Sequence, residues 1–209
     1  MPDIVPPSAA LPRLALPDRA FAAYLFDCDG TIVESMPLHY TAWTQVLARW
    51  GATFDERQFY AWAGRPTSEI IAALNAQQGL AMPVDEVLHE KEALYVALLP
   101  ELQGIPKVME HIERGHGHVR FAVVSGGPRA SVVASLEALH ILDKFETLVC
   151  AGDYTRGKPD PEPFLVAAAR LGVAPADCLV FEDADFGIQS AAAAGMAWVK
   201  VAPPWERVR

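Results

Sequence analysis

Cysteine is scarce in this 209-residue chain. There are three, Cys28, Cys150 and Cys178, odd in number and widely spaced. No two stand at the spacing of a metal-binding pair, so neither a zinc site nor a disulfide framework is expected, and a reducing compartment, the cytoplasm, fits best. Cationic residues are few as well. The 17 Lys and Arg face 26 Asp and Glu, a net charge of -9, with no local basic cluster. That speaks against a nucleic-acid partner. It leaves room for a phosphorylated ligand, provided its site is built locally from a cation, a lysine and backbone N–H groups. No apolar run approaches the length of a membrane span, so no membrane association is expected. The first twenty residues hold five prolines and lack a basic start followed by an unbroken apolar stretch. An extended N-terminal arm over 1–20 is expected there, and a signal peptide is not.

What is present is apolar and periodic. Apolar residues make up 52% of the chain and charged residues 21%, enough for one good core or a core plus a small satellite domain. Ala22–Phe26 reads as a short buried strand. From Ile105 onward, apolar runs at 119–124, 148–151, 178–181 and 197–201 alternate with helical stretches at 106–114, 128–139, 161–171 and 186–194. Nearly all-apolar strands in this rhythm predict an α/β fold, a Rossmann-like parallel sheet covered on both faces. Between Ser35 and Leu99 only helical patterns occur, at 36–50, 55–63, 66–78 and 83–99, with Thr67 or Ser68 as a candidate cap of the third. The expected organisation is an α/β core from 1–33 and 104–209, with a helical cap inserted at 34–103.

Chemistry gathers at the strand ends, where ligands of parallel sheets bind. The first strand runs through YLFDCDGT into Asp27 and Asp29. The second ends at Ser125, the loop after the third carries Asp153 and Lys158, and the fourth ends at Glu182 and Asp183. Any one of these could be a solvated loop residue, and Asp153 reads best that way. Carboxylates delivered together by two buried strands are different, because they repel and desolvate one another unless a cation compensates. Magnesium, Mg2+, is the hard oxygen-seeking choice. A magnesium site beside a lysine and a serine suits a phosphoryl group: one carboxylate could attack phosphorus and the other could move the proton.

DCDGT at 27–31, SGG at 125–127, GKP at 157–159 and FEDADFGIQSAAAAGM at 181–196 resemble, in order, the four motifs of the haloacid dehalogenase superfamily. The resemblance implies Asp27 as nucleophile and magnesium ligand, and Asp29 as general acid/base with its backbone carbonyl on the metal. It implies Ser125 and Lys158 in catalysis, Thr31 and Gly126 at the phosphoryl group, and Glu182 and Asp183 at the metal. ESMPLHYTAW at 34–43 and WAGRPTSEI at 62–70 resemble the cap of the beta-phosphoglucomutase-like subfamily, most closely its fructose-1-phosphatase branch. That resemblance implies substrate contacts at His39, Arg65 and Thr67. Trp43 reads as cap core. Arg129 is a candidate substrate contact through its place beside Ser125, and Cys28 is expected to pack away from the site.

The expected activity is a magnesium-dependent phosphatase acting on a small phosphorylated metabolite, a sugar phosphate or related monoester. The alternative is a mutase of the beta-phosphoglucomutase type. No lysine stands between Arg65 and Gln77 to hold a second phosphate, and SGGPR departs from the mutase pattern after Ser125, so hydrolysis ranks first. A metal-binding regulatory protein without turnover ranks last, because Asp27, Asp29 and Lys158 are all present. The sequence carries no signal of oligomeric state.

Overall fold

The computed structural model describes residues 14–63 and 65–202. Five strands form one parallel sheet: β1 (Ala23–Phe26), β2 (Arg120–Val124), β3 (Thr147–Val149), β4 (Cys178–Glu182) and β5 (Ala197–Lys200). Their order is β3-β2-β1-β4-β5, so β1 is central and the sheet grows outward from it on both sides. The crevice beyond the C-terminal end of β1 is the topological switch point.

The strands are apolar throughout because both faces are buried. Phe26, Phe121, Val123, Leu179 and Phe181 face one layer, with Phe26 stacked on Phe181 at 4.6 Å between ring centres. Leu25, Ala122, Val124 and Val180 face the other. Helices α5 (Pro106–Gly115) and α6 (Arg129–Ala138) cover the first layer through Val108, Ile112, Val132 and Leu136. Helices α7 (Glu162–Leu171) and α8 (Asp185–Ala193) cover the second through Phe164, Ala167, Leu171 and Ala191. The third strand stops earlier than the expected 148–151. The Cys150 N–H turns to Asp153 Oδ2 at 2.8 Å and the Ala151 N–H to the Gly127 carbonyl at 3.1 Å, so both leave the ladder.

Four helices separate β1 from α5: α1 (Met36–Arg49), α2 (Glu56–Ala61), α3 (Thr67–Gln78) and α4 (Val84–Leu98). They share their own apolar cluster, which includes Trp43, Phe54, Phe59, Ile71, Leu74 and Val87. Ala42 of α1 and Tyr95 of α4 belong instead to the sheet-side cluster, so the helical block is anchored to the core by packing. The two connections run side by side: Glu34 N–H donates to Gln103 O and Ile105 N–H to Ile32 O, each at 2.8 Å. Neither Thr67 nor Ser68 caps α3. Pro66 holds the cap position with φ -55, and no side chain bonds there. Residues 1–13 of the expected N-terminal arm lie outside the described residues; Leu14 and Leu16 pack against the core.

Candidate active site

The sheet delivers Asp27 to the floor of the crevice. Its N–H continues the ladder to Phe181 O at 3.0 Å, which fixes its carboxylate beside those of Glu182 and Asp183. Ligand oxygens of these three residues all lie within 4.8 Å of one another. Lys158 enters from the loop after β3. Its Nζ donates to Asp27 Oδ1 and Glu182 Oε1, both at 2.7 Å, and to Val124 O at 3.0 Å.

Three carboxylates thus meet one ammonium, which leaves two negative charges uncompensated. Burial pushes the Asp27 carboxyl well above its ordinary range, opposed by Lys158 and reinforced by Glu182 and Asp183. Burial and the Glu182 charge push Asp183 up to about 7. Burial disfavours the Lys158 ammonium, but its two carboxylate partners overcome that and raise its proton affinity. An all-oxygen donor set with a charge deficit of two fits a divalent cation.

Two glycines leave room for this cluster. Gly30 has φ +85, and a Cβ there would overlap the Asp183 carboxylate. A Cβ on Gly187 would overlap Glu182. The other Glu182 oxygen, Oε2, accepts the Ala184 N–H at 2.8 Å, so the start of α8 is built around this carboxylate.

The Asp29 carboxylate stands apart from the cluster and turns toward the helical block. Its Oδ1 accepts from Ser35 Oγ at 2.6 Å and contacts His39 Nε2 at 3.1 Å. Lys91 of α4 lies 3.0 Å behind, at His39 Nδ1. An ammonium has only protons to offer, so Nδ1 accepts and Nε2–H donates to Asp29. Burial would raise the Asp29 carboxyl, but His39, Ser35 and Lys91 hold it down at about 2. Burial and the Lys91 charge lower the proton affinity of His39, in keeping with a neutral ring. Glu92 balances Lys91 at 2.8 Å and accepts from Ser131 Oγ of α6 at 2.5 Å. One polar chain therefore runs from α6 through α4 and α1 to Asp29.

The crevice opens into a cavity of about 600 Å³, which suits a small ligand. Asp27, Asp29, Ser125, Gly126, Lys158 and Glu182 line it from the core; Asp183 lines it too, and His39, Arg65 and Thr67 line it from the helical block. Arg65 stacks over the Trp62 ring at 4.9 Å. Ser125 Oγ accepts the Gly127 N–H at 3.0 Å, which tightens the turn after β2.

Three expected substrate contacts already have protein partners. Thr31 is fully buried and outside the cavity wall, and its hydroxyl donates to Asp183 Oδ1 at 3.2 Å. It positions a carboxylate. Arg129 also lies outside the wall. Its guanidinium is taken by Asp153 and by Leu148 O, so it braces the end of β3. His39 reaches the cavity, but both ring nitrogens are engaged and its ring stacks on Tyr95 at 3.9 Å. Cys28, by contrast, is fully buried in the sheet-side cluster as expected, and Trp43 packs in the helical block.

Ser35, Lys91 and Glu92 were not among the sequence candidates. No lysine lies between Arg65 and Gln77, yet the helical block does supply one to the cavity, from α4. A signal for it existed: Val87, Lys91 and Tyr95 are spaced by four, which puts the lysine on the buried face of its helix.

The family model of haloacid dehalogenase-like hydrolases matches residues 21–195. The chain belongs to this family. Among its relatives, the fructose-1-phosphate phosphatase YqaB of Escherichia coli K12 is 38% identical over 87% of this chain and 96% of that protein. The validoxylamine A 7'-phosphate phosphatase of Streptomyces hygroscopicus subsp. limoneus is 35% identical over 82% of this chain and 81% of its own. The crystal structure of beta-phosphoglucomutase from Clostridium difficile matches with a TM-score of 0.79 at 26% identity, covering 87% of this chain and 85% of that one. This haloacid dehalogenase-like hydrolase therefore sits in the sugar phosphatase and beta-phosphoglucomutase-like subfamily. Among its described residues, no helix is long and apolar enough to cross a membrane.

Proposed function

We propose that the protein is a magnesium-dependent phosphatase that hydrolyses a small sugar phosphate or related monoester through an aspartyl phosphate on Asp27. The observation that carries this reading is Asp27 itself, held by Lys158 at 2.7 Å on the floor of the cavity beside Glu182 and Asp183. Asp27, Glu182, Asp183 and the Asp29 backbone carbonyl would hold Mg2+, which supplies positive charge against the phosphoryl oxygens. We take residues 34–103 as the cap and the remainder as the core, a division supported by the separate apolar cluster of α1–α4.

Lys158 fixes the Asp27 carboxylate through Oδ1. A carboxylate oxygen of Asp27 attacks phosphorus, and the ester oxygen leaves with a proton from Asp29. Asp29 then takes a proton from water, the resulting hydroxide attacks the acyl phosphate, and phosphate departs to restore Asp27. In the free enzyme Ser35 and His39 hold Asp29 as a carboxylate. The charge of an incoming phosphoryl group raises its proton affinity, so Asp29 takes up one proton, from solvent or from the phosphate monoester, as substrate binds and holds it for the leaving oxygen. Ser125 and Gly126 offer hydroxyl and N–H groups to the phosphoryl oxygens, while Arg65 and Thr67 meet the rest of the substrate. Three buried free cysteines support a cytoplasmic setting.

The mutase reading gains one point, the cavity lysine Lys91. That ammonium is already paired with Glu92 and His39, so hydrolysis remains first. A screen of phosphate release from sugar phosphates with and without magnesium tests the proposal, with Asp27→Asn as control. Hydrolysis surviving in that variant sinks the nucleophile. Conversion of beta-glucose 1-phosphate to glucose 6-phosphate, with a bisphosphate primer and little free phosphate, would reverse the ranking.

A further inference from the structure

Phe186 is the second residue of α8, 37% exposed, and its neighbours Ala184 and Gly187 line the cavity with it. Large apolar side chains left in water forgo the stabilisation of burial. Four such side chains occur among the described residues: Val96, Leu165, Phe186 and Trp198. Of these, only Phe186 lines the cavity that holds Asp27. Its backbone is rigidly mounted, because the Glu182 carboxylate accepts the Ala184 N–H and lies against Gly187. That backbone presents a flat ring, three residues from Asp183, to the same cavity as the carboxylate cluster. From the cap side the same cavity is lined by Trp62, with Arg65 stacked over it.

We propose that Phe186 is a specificity-determining residue whose ring receives the C–H face of the sugar or polyol part of the substrate, opposite the polar contacts of the phosphoryl end. This rests on the phosphatase reading for the kind of ligand, though not on turnover. The chemistry follows from the groups present: a sugar offers an apolar C–H face and a hydroxyl rim, and the cavity offers an aromatic ring among polar groups. Inorganic phosphate has no such face, so the ring discriminates between the two.

The test is calorimetric binding of fructose 1-phosphate and of inorganic phosphate, with magnesium, to the Asp27→Asn protein and to its double variants with Phe186→Ala, Phe186→Leu and Phe186→Tyr. Phe186→Ala is expected to lower the affinity ratio of fructose 1-phosphate to phosphate about tenfold. Phe186→Leu, which keeps apolar volume without a flat face, should lower it in the same direction. Phe186→Tyr should keep it. A ratio unchanged in both the Ala and Leu variants, or equal losses for both ligands, overturns the proposal. If the Ala variant does not fold, the Leu and Tyr pair decides. Hydrolysis by the Asp27→Asn protein would overturn the nucleophile assignment, and the same comparison would then be made with a non-hydrolysable phosphonate analogue of fructose 1-phosphate.

Discussion

Glu182 and Gly187 interlock: the carboxylate of one occupies the space a Cβ on the other would need. The fit allows a carboxylate of the Asp27, Glu182 and Asp183 cluster to be buried at the start of a helix. Alanine is ordinarily better than glycine inside a helix by about 1 kcal/mol. Here Gly187→Ala should instead push Glu182 out of place. The expected result is a fall of at least about tenfold in magnesium affinity, with a parallel loss of activity. Magnesium titration followed by phosphate release reads both, and unchanged affinity would show that Glu182 does not contact the ion.

Much of this was legible in the sequence, and the reasons are specific. Strands β1, β2 and β4 are buried on both faces, so their apolar runs stand out, and the polar residues at their ends are conspicuous. That exposed Asp27, Ser125, Glu182 and Asp183 together. Lys158 followed from its loop. The helical block was legible as helices, but not which of its side chains reach the crevice. Thr31 and Arg129 sit close to the right residues in the chain but bond to Asp183 and Asp153, because the direction of a side chain four positions along is set by local turn geometry and by its partners. Lys91 was hidden for a different reason. A buried ammonium is tolerated only with partners; Glu92 is its neighbour in the chain, but His39, on α1, is recognisable as a partner only once α1 and α4 are packed.

Asp183 makes the cation-free protein pH-sensitive in a direction opposite to the usual carboxylate. Its folded proton affinity is raised to about 7 by burial and Glu182. Between about pH 4 and 7 the folded state therefore holds a proton that the unfolded chain has lost, and stability falls as pH rises through that window. Asp183→Asn should weaken the effect, leaving the part carried by Asp27, whose carboxyl burial and Glu182 raise in the same sense. In a chelator at pH 8 the variant should be more stable than the parent by on the order of 2 kcal/mol. It should also lose the rise in melting temperature that magnesium gives the parent. Melting curves at pH 5 and 8, with and without magnesium, check both parts; a parent whose stability does not fall between them contradicts the raised value.

Lys91→Met breaks the chain behind Asp29. It leaves Glu92 with one hydrogen bond fewer in a largely buried setting, which should cost roughly 2 to 3 kcal/mol of stability. It also frees His39 Nδ1, so the ring no longer presents a fixed Nε2–H to Asp29. We expect kcat to fall by at least about tenfold while magnesium affinity holds. The double variant Lys91→Met/Glu92→Gln removes the orphaned charge as well. It should recover much of the stability and none of the kcat. Recovery of both would mean that Lys91 matters only for folding.

Arg129 and Arg170 converge on Asp153, whose Oδ2 also accepts the Cys150 N–H at 2.8 Å. The Arg170 and Cys150 hydrogen bonds, with the Arg129 charge, hold the Asp153 carboxyl at about 2. A depressed value means stability that is complete above the unfolded carboxylate range and is lost as pH falls from about 4 to 2. Asp153→Asn should lower stability by about 1 kcal/mol at neutral pH, and the gap to the parent should close across that acid window. Urea unfolding at a series of pH values between 2 and 7 measures it. Arg129→Ala separates bracing from substrate contact, because it should weaken the same corner and leave KM within about twofold of the parent. A rise in KM well beyond that, at unchanged stability, would return Arg129 to the substrate.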